Sequence, residues 1–508
     1  MHTLGALDIQ KLPRDVDVLL GVIGELHQQY SVILSSLQQQ LQTLKRMHFG
    51  ASSEKLAGQA ELFTEIVNLP SPPLDQVEVR YKRARRGRPA LPKHLPRERI
   101  EYDLSDAEKA NFDALERIGE EVSETLEYTP ARVKVIEHAR AKYVCRKDGL
   151  STICTAYAEP SPLPKTNAGA SLLAQILVAT FVDHLPLHRQ ERIWSRHGVE
   201  LPRSTLTEYK LASGELLAVL RPALIEHVLA APRVHADDTT FPLIEGGRGQ
   251  TKTARMWGYL GAGARRDDTS NWVEHAPAVV FEFTDSREAV HPARFLQDYR
   301  GYLQADAYSG FDILYRSGRI LPVGCWAHCR RRFFEIAKSQ APPGLAAQAL
   351  AWISQLYRIE SAIREHPPDQ KLLVRQAEAV PLLEQFKGWL EGHYPTLLPQ
   401  SPLGQAFGYA LRNWTALTRY TEDGVLLPDN NLLESAIRPV AMGRKAYLFA
   451  AAERGGHVAA TLYSLLGTCR LNAIEPYAYL KDVLERLPSH PMNRLADLLP
   501  FNWTPAPA

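Results

Sequence analysis

The chain has 508 residues, 45% of them hydrophobic and 23% charged, an ordinary composition for soluble globular domains that excludes disordered, collagenous and low-complexity architectures. Lys and Arg number 59 against 57 Asp and Glu, so a uniformly basic nucleic-acid binder is excluded and any such contact has to come from local clustering. Five cysteines, an odd number, do not make a disulfide framework and fit a reducing cytosol.

At the N-terminus no charged-then-apolar leader pattern is present. Leu20, Ile23, His27, Tyr30, Leu34, Leu37, Leu41 and Leu44 follow heptad spacing with one polar interruption, which predicts a helix with a single apolar seam and self-association. Pro70, Pro72, Pro73, Pro89, Pro92 and Pro96 then forbid helix and central strand, so this stretch reads as a linker. From Arg80 to Arg99 nine Lys/Arg face one acid, Glu98, and such a tract binds phosphates by counterion release. Arg83, Arg85, Arg86 and Arg88 are its DNA-binding candidates. The Arg-Gly-Arg-Pro core resembles an AT-hook, whose Arg side chains enter narrow minor grooves.

Loose alternation from Thr129 to Cys145 predicts a small, partly stranded module, in which Cys145, Cys154 and His138 fall short of four tetrahedral zinc ligands. Residues 167–215 predict helices broken at His197-Gly198, the second opening at Pro202-Arg203-Ser204-Thr205. A short helix, a glycine turn and a capped polar helix outline a helix-turn-helix, with Arg203, Ser204, Thr205 and Lys210 as DNA-contact candidates. The run Leu172 to Val182, broken by Gln175, falls well short of the ~20 residues that span a bilayer.

From Arg233 the period changes. Val234 to Phe241, Arg255 to Leu260, Ala278 to Thr284 and Gly301 to Ala305 predict strands, with a helix over 289–299. Val323 to Trp326 predicts a fifth strand running into a helix over 327–339, and residues 345–420 predict helices with proline breaks. This order suggests an α/β or α+β domain with a mixed sheet. Acids stand at the tails of two strands, Asp237-Asp238 and Asp306, where a carboxylate is costly unless paired or metal-bound. Pro428-Asp429 opens a further helix on which Glu434 lies one turn before Arg438. Two strand-borne Asp and one helix-borne Glu suit Mg²⁺, which takes oxygen ligands, and phosphodiester attack uses such ions in pairs.

These stretches resemble the transposases of the insertion sequence sixty-six family. The resemblance rests on His235-Ala236-Asp237-Asp238-Thr239, Leu303-Gln304-Ala305-Asp306-Ala307-Tyr308, Gly324-Cys325-Trp326-Ala327-His328-Cys329-Arg330-Arg331 and the run from Asp429 to Pro439. Phe49 to Leu56, Gly198 to Thr205, Ser464 to Thr468 and Pro476 to Leu480 extend it over nearly the whole chain. It implies a multidomain α/β protein whose RNase H-like core carries a DDE triad, Asp237, Asp306 and Glu434, with two Mg²⁺ ions (Mn²⁺ as the alternative). Where the family has Glu after the first catalytic Asp, this chain has Asp238, which leaves the choice between Asp237 and Asp238 open. Cys325 and His328 match a Cys-x-x-His signature of DDE groups and stand as accessory candidates. No Cys occurs over 103–113, where the family's zinc module has its first pair, so no zinc is expected.

The expected organisation is an N-terminal helical, leucine-zipper segment (1–66), a basic Pro-rich linker (67–99), a degenerate zinc-finger-like module (100–165) and a helix-turn-helix region (166–230). A catalytic domain (231–460) with a helical insertion (340–425) and a C-terminal helical segment (461–508) follow. Arg438, Arg444 and Lys445 complete the candidates for phosphate contact. The expected partners are double-stranded DNA at element ends and target, a second copy of the chain and small accessory proteins of the same element, with no membrane. The expected location is the cytoplasm, at the nucleoid. The rival readings are a catalytically decayed helix-turn-helix regulator and another RNase H-fold nuclease.

Overall fold

A computed structural model describes residues 133–147, 150–155, 160–244, 251–339, 343–447, 450 and 452–505, with 142–155 described as backbone only. The heptad segment and the basic tract with Arg83, Arg85, Arg86 and Arg88 lie outside the described residues. Residues 133–141, where alternation predicts strand, have no regular structure, and Val135 and Ile136 are exposed. The strand begins only at β1 (Lys142–Lys147), which pairs antiparallel with β2 (Leu150–Thr155).

Four helices follow. α1 (Ala170–Phe181) is apolar nearly all round and is buried accordingly. α2 (Leu187–Arg196) is polar, with Arg189, Arg192 and Arg196 exposed. Its chain reverses at Gly198, whose φ of +75° suits a residue without Cβ, into α3 (Arg203–Leu217). α4 (Arg221–Leu229) leads into the sheet.

The five sheet strands are β3 (Arg233–Ile244), β4 (Thr251–Arg266), β5 (Trp272–Thr284), β6 (Gly301–Gln304) and β7 (Ile320–Val323). Their order is β5-β4-β3-β6-β7. The first three pair as consecutive antiparallel hairpins, whereas β6 runs parallel to β3 and β7 parallel to β6. A parallel return needs a crossover, supplied by α5 (Val290–Phe295) before β6 and α6 (Asp312–Tyr315) before β7. The predicted helix over 289–299 shortens to α5. The predicted strand at 323–326 is corrected to Ile320–Val323; Trp326 already belongs to a helix. Pro322 lies inside this strand, a place proline tolerates because β7 is the sheet edge.

α7 (Trp326–Ala337) opens a helical segment of α8 (Leu345–Ala362), α9 (Pro368–Val374), α10 (Val380–His393), α11 (Pro402–Arg412) and α12 (Trp414–Thr418). α13 (Asn431–Tyr447), α14 (Glu453–Leu471) and α15 (Pro476–Arg486) then return to the sheet.

Two hydrophobic cores result. The sheet core joins Val234, Trp257, Phe281 and Leu303 to Leu433 and Ile437 of α13 and to Leu462 and Leu465 of α14. On the opposite face Phe295 of α5 stacks on Tyr259, ring centroids 3.8 Å apart. The helical core gathers Trp326, Phe333, Ile353, Phe386, Phe407 and Tyr420. Among the described residues no helix is long and apolar enough to cross a membrane.

Candidate active site

Asp237 sits in the middle of β3 rather than at its tail, as the sequence suggests. It is nevertheless where the parallel pairing has run out: β3 and β6 pair only over Arg233–Tyr302, Val234–Leu303 and His235–Gln304. Continuing that register by two residues sets Asp306 opposite Asp237, both side chains on one face.

The face is identified by Gly258, the antiparallel partner of Asp237. Directly paired residues share a face, and a Cβ at Gly258 would lie 3.1 Å from Leu433 Cδ1 of α13. The missing side chain therefore lets α13 approach the sheet beneath Asp237. Glu434, in the first turn of that helix, follows Leu433.

Electrostatics agree with this placement. Burial pushes the Asp237 carboxyl up to about 8, helped by the charge of Asp306 and, more weakly, by those of Glu434 and Asp238, while a hydrogen bond from the Asp238 N–H (2.8 Å) opposes the rise. Asp306 is also raised, mainly by burial, although it accepts the Tyr308 N–H at 3.1 Å. Burial is the chief cause at both carboxyls, and at Asp306 the charges of Arg287 and Arg332 pull the other way.

Asp238 differs. It pairs with Trp257 on the other face of β3 and is held by Arg255 (3.0 Å) and Arg287 (2.8 Å). Arg287 in turn lies over the Tyr308 ring, 4.3 Å from its centroid. Asp238 is thus a structural anion with two cations of its own.

The loop before α13 is fastened by buried polar groups. His235 and Gln304, in register with each other and wholly buried, stand two residues before Asp237 and Asp306. Gln304 Nε2 donates to Leu427 O (2.7 Å) and Gly324 O (3.2 Å). Asn430, also wholly buried, donates its Nδ2 to Ala236 O (3.2 Å), so its Oδ1 accepts from His235 Nδ1 at 2.7 Å. Burial and the neighbouring Arg233 push His235 down to about 3, keeping it neutral with the proton on Nδ1. The Asn430 N–H reaches Cys325 Sγ at 3.2 Å. Asp429 accepts from Tyr357 of α8 (2.9 Å), from the Asn431 N–H (3.1 Å) and from its side chain (2.8 Å).

His328 and Arg331, the third and sixth residues of α7, flank Glu434. His328 Nδ1 lies 3.6 Å from Glu434 Oε1, and Arg331 Nη2 lies 3.6 Å from Oε2. Burial lowers the basicity of His328 against the pull of Glu434. Beside Asp306 opens a cleft of about 410 Å³, lined among others by Tyr308, Arg332, Tyr409 and Arg412.

The remaining sequence candidates are scattered. Arg203 and Ser204 are exposed at the start of α3 and Thr205 is half-buried, while burial lowers the basicity of Lys210, the opposite of a solvent-facing phosphate contact. Arg438 and Lys445 are exposed on α13. Arg444 is turned inward and donates to Thr239 Oγ1 and Thr240 O, tying α13 to β3. His235, Gln304, Asn430, Tyr357 and Gly258 were not singled out from sequence. The available signal was a polar residue two positions before each strand acid, which alternation puts on the acid's own face.

The chain matches the family described as "Transposase IS66 family" over residues 165–458 and the "IS66 C-terminal element" over 464–501. Residues 36–100 match "Transposase C of IS166 homeodomain". Residues 111–147 match "zinc-finger binding domain of transposase IS66", a finding that weighs against the expectation of no zinc, although this stretch holds one cysteine, Cys145. Three relatives from Sinorhizobium fredii are uncharacterized proteins. One, y4jD, is 32% identical over 97% of both chains, and another, y4hP, is 35% identical over 84% of this chain and 79% of its own.

Proposed function

The chain belongs to the IS66 transposase family, and from that premise we propose that it is a DDE enzyme that cuts DNA at the ends of its insertion sequence and joins them to a target. The observation that carries this reading is the convergence of Asp237, Asp306 and Glu434, felt as charge at the Asp237 carboxyl. The strand order, three antiparallel strands followed by two parallel ones on the far side of β3, is what an RNase H-like reading calls for and supports it. The presence of all three acids favours this reading over a decayed DNA-binding regulator.

The donor set fits hard divalent cations: three carboxylates, two of them raised chiefly by burial, offer oxygen only. Asp237, Asp306 and Glu434 would hold Mg²⁺ or Mn²⁺. Such ions, when bound, generate the attacking oxyanion near neutral pH and neutralise charge growing on the phosphate. Asp237 must give up its proton for this role, and burial, helped by the charge of Asp306, makes it hold that proton in the cation-free site. The His235–Asn430 contact and the Gln304 contacts keep α13 in place against the strand acids. Arg438, exposed one turn beyond Glu434, would hold a phosphate, and Arg203 and Ser204 at the exposed start of α3 would serve end recognition.

An Asp306→Asn variant tests the assignment with labelled element ends. It is expected to bind them as the unaltered protein does while neither nicking nor joining them. Equal strand transfer by the two proteins would reject the triad.

A further inference from the structure

Cys325 is the residue that caps the N-terminus of α7, and its backbone is extended (φ −116°, ψ 109°). Its sulfur is almost wholly buried and accepts the Asn430 N–H at 3.2 Å. Burial, with the charge of Asp429 behind it, pushes the Cys325 thiol well above the ordinary range, so the sulfur rests protonated and a cation has to displace that proton. One turn along α7, His328 Nδ1 is buried without a hydrogen-bond partner. Across from both stands the Glu434 carboxylate. The sulfur, a ring nitrogen and a carboxylate oxygen all lie within 4.8 Å of one another, so a small contraction closes them around one ion.

This donor set is unlike that of the three acids. Sulfur and imidazole select borderline cations such as Zn²⁺, Co²⁺ or Cd²⁺, whereas Mg²⁺ prefers oxygen throughout. Three protein ligands leave a fourth tetrahedral position for water or a DNA oxygen.

We propose that Cys325, His328 and Glu434 form a binding site for a zinc-class divalent cation, and that its occupant withdraws Glu434 from the Asp237–Asp306 pair and so inhibits cleavage. The binding half stands on these three residues alone; the inhibitory half rests on the catalytic reading of Glu434. On binding, the thiol proton leaves to solvent and the thiolate supplies the bond to the cation. Arg331, whose side chain is 52% exposed, withdraws from Glu434 into solvent as the cation arrives.

Cobalt titration of the full chain in Mg²⁺-free buffer reads the site directly through thiolate-to-cobalt charge-transfer absorbance. Four other cysteines are present, so the informative quantity is the difference from a Cys325→Ser variant. That variant is expected to lose one thiolate's share of the band, and its zinc affinity is expected to fall by more than the roughly 10–100-fold typical of losing an outer-sphere partner. An unchanged spectrum and zinc affinity would overturn the site. Should Cys325→Ser fail to fold by circular dichroism, His328→Gln at the partly exposed side decides: the band stays and zinc binds at least about 10-fold more weakly, or the site is refuted. Asp306→Asn keeps the cobalt band under this proposal while losing cleavage. If it still cleaves, the triad fails and the metal site stands. Zinc is expected to raise the Mg²⁺ concentration needed for half-maximal cleavage by the unaltered protein; no such rise would overturn the inhibitory half.

Discussion

The sheet core and the helical core hold the acids by different means. In the sheet core, apolar packing of Leu433 and Ile437 against a strand with glycine at 258 brings α13 close, and the acids sit on the rim of that packing. The helical core supplies none of the three acids proposed for catalysis. It holds the approach to Glu434 through polar contacts: Tyr357 to Asp429, the Trp326 N–H to Pro428 O at 2.9 Å, and Arg375 to the carbonyls of Tyr420, Asp423 and Leu426, each at 3.0 Å. The helical segment therefore fastens the loop that leads to Glu434, and on the proposed function stability and cleavage are expected to be separable in one core and coupled at the joint between them.

The largest test of that contrast is Arg375→Met. Arg375 is 1% exposed, forms a two-pronged bond with Glu360 (2.8 and 2.7 Å) and satisfies the three carbonyls. Losing it leaves Glu360 and those carbonyls unpartnered, a cost of about 3–5 kcal/mol in urea denaturation. Cleavage per folded molecule is expected to fall as well, because residues 420–426 lead directly to Asp429. Phe386→Leu, deep in the same core and making no hydrogen bond to the loop, is expected to cost about 1–3 kcal/mol and leave cleavage per folded molecule intact. Equal loss of cleavage in both variants would break the distinction between clamp and core.

The second test has the opposite sign. In the metal-free protein Asp237 keeps its proton up to about 8, whereas an unfolded carboxyl loses it near about 4. Between those values the folded state binds more protons, so stability falls as pH rises through this window and the loss is complete above it. Asp237→Asn cannot ionise. It is expected to be more stable than the unaltered chain by about 1–3 kcal/mol near pH 8 in chelator, with the difference vanishing toward about pH 4. Adding Mg²⁺ is expected to stabilise the unaltered chain and not the variant. A difference that grows toward low pH would mean that Asp237 is not crowded by the other acids.

What the sequence makes legible follows the same division. The antiparallel strands are readable because their apolar, β-branched runs alternate. The edge strand is misread by three residues because Pro322 disguises it and Gly324-Cys325-Trp326 continues the apolar run into a helix. The acids are visible as carboxylates after apolar strands. Choosing between Asp237 and Asp238 needs the pairing partner of each, Gly258 or Trp257, and that information is register rather than composition. The fastening by His235, Gln304 and Asn430 is not readable at all without the fold, since its partners lie 195 and 123 residues away.

The smallest test asks whether the helical core reaches the acid loop through a single hydroxyl. Tyr357 is the helical residue bonded to Asp429, and Asp429 is a buried carboxyl already raised by burial, which this hydroxyl counteracts. Tyr357→Phe keeps the ring in place and removes only the bond, so about 1 kcal/mol of stability is expected to go. The same change leaves Asp429 leaning on the Asn431 amides alone, which loosens the first turn of α13 and displaces Glu434. Cleavage is therefore expected to drop several-fold, and combining the change with Asp429→Asn is expected to cost no more than Asp429→Asn alone. Full additivity of the two changes would show that the hydroxyl acts elsewhere, and the clamp would then rest on Arg375 and the Trp326 amide.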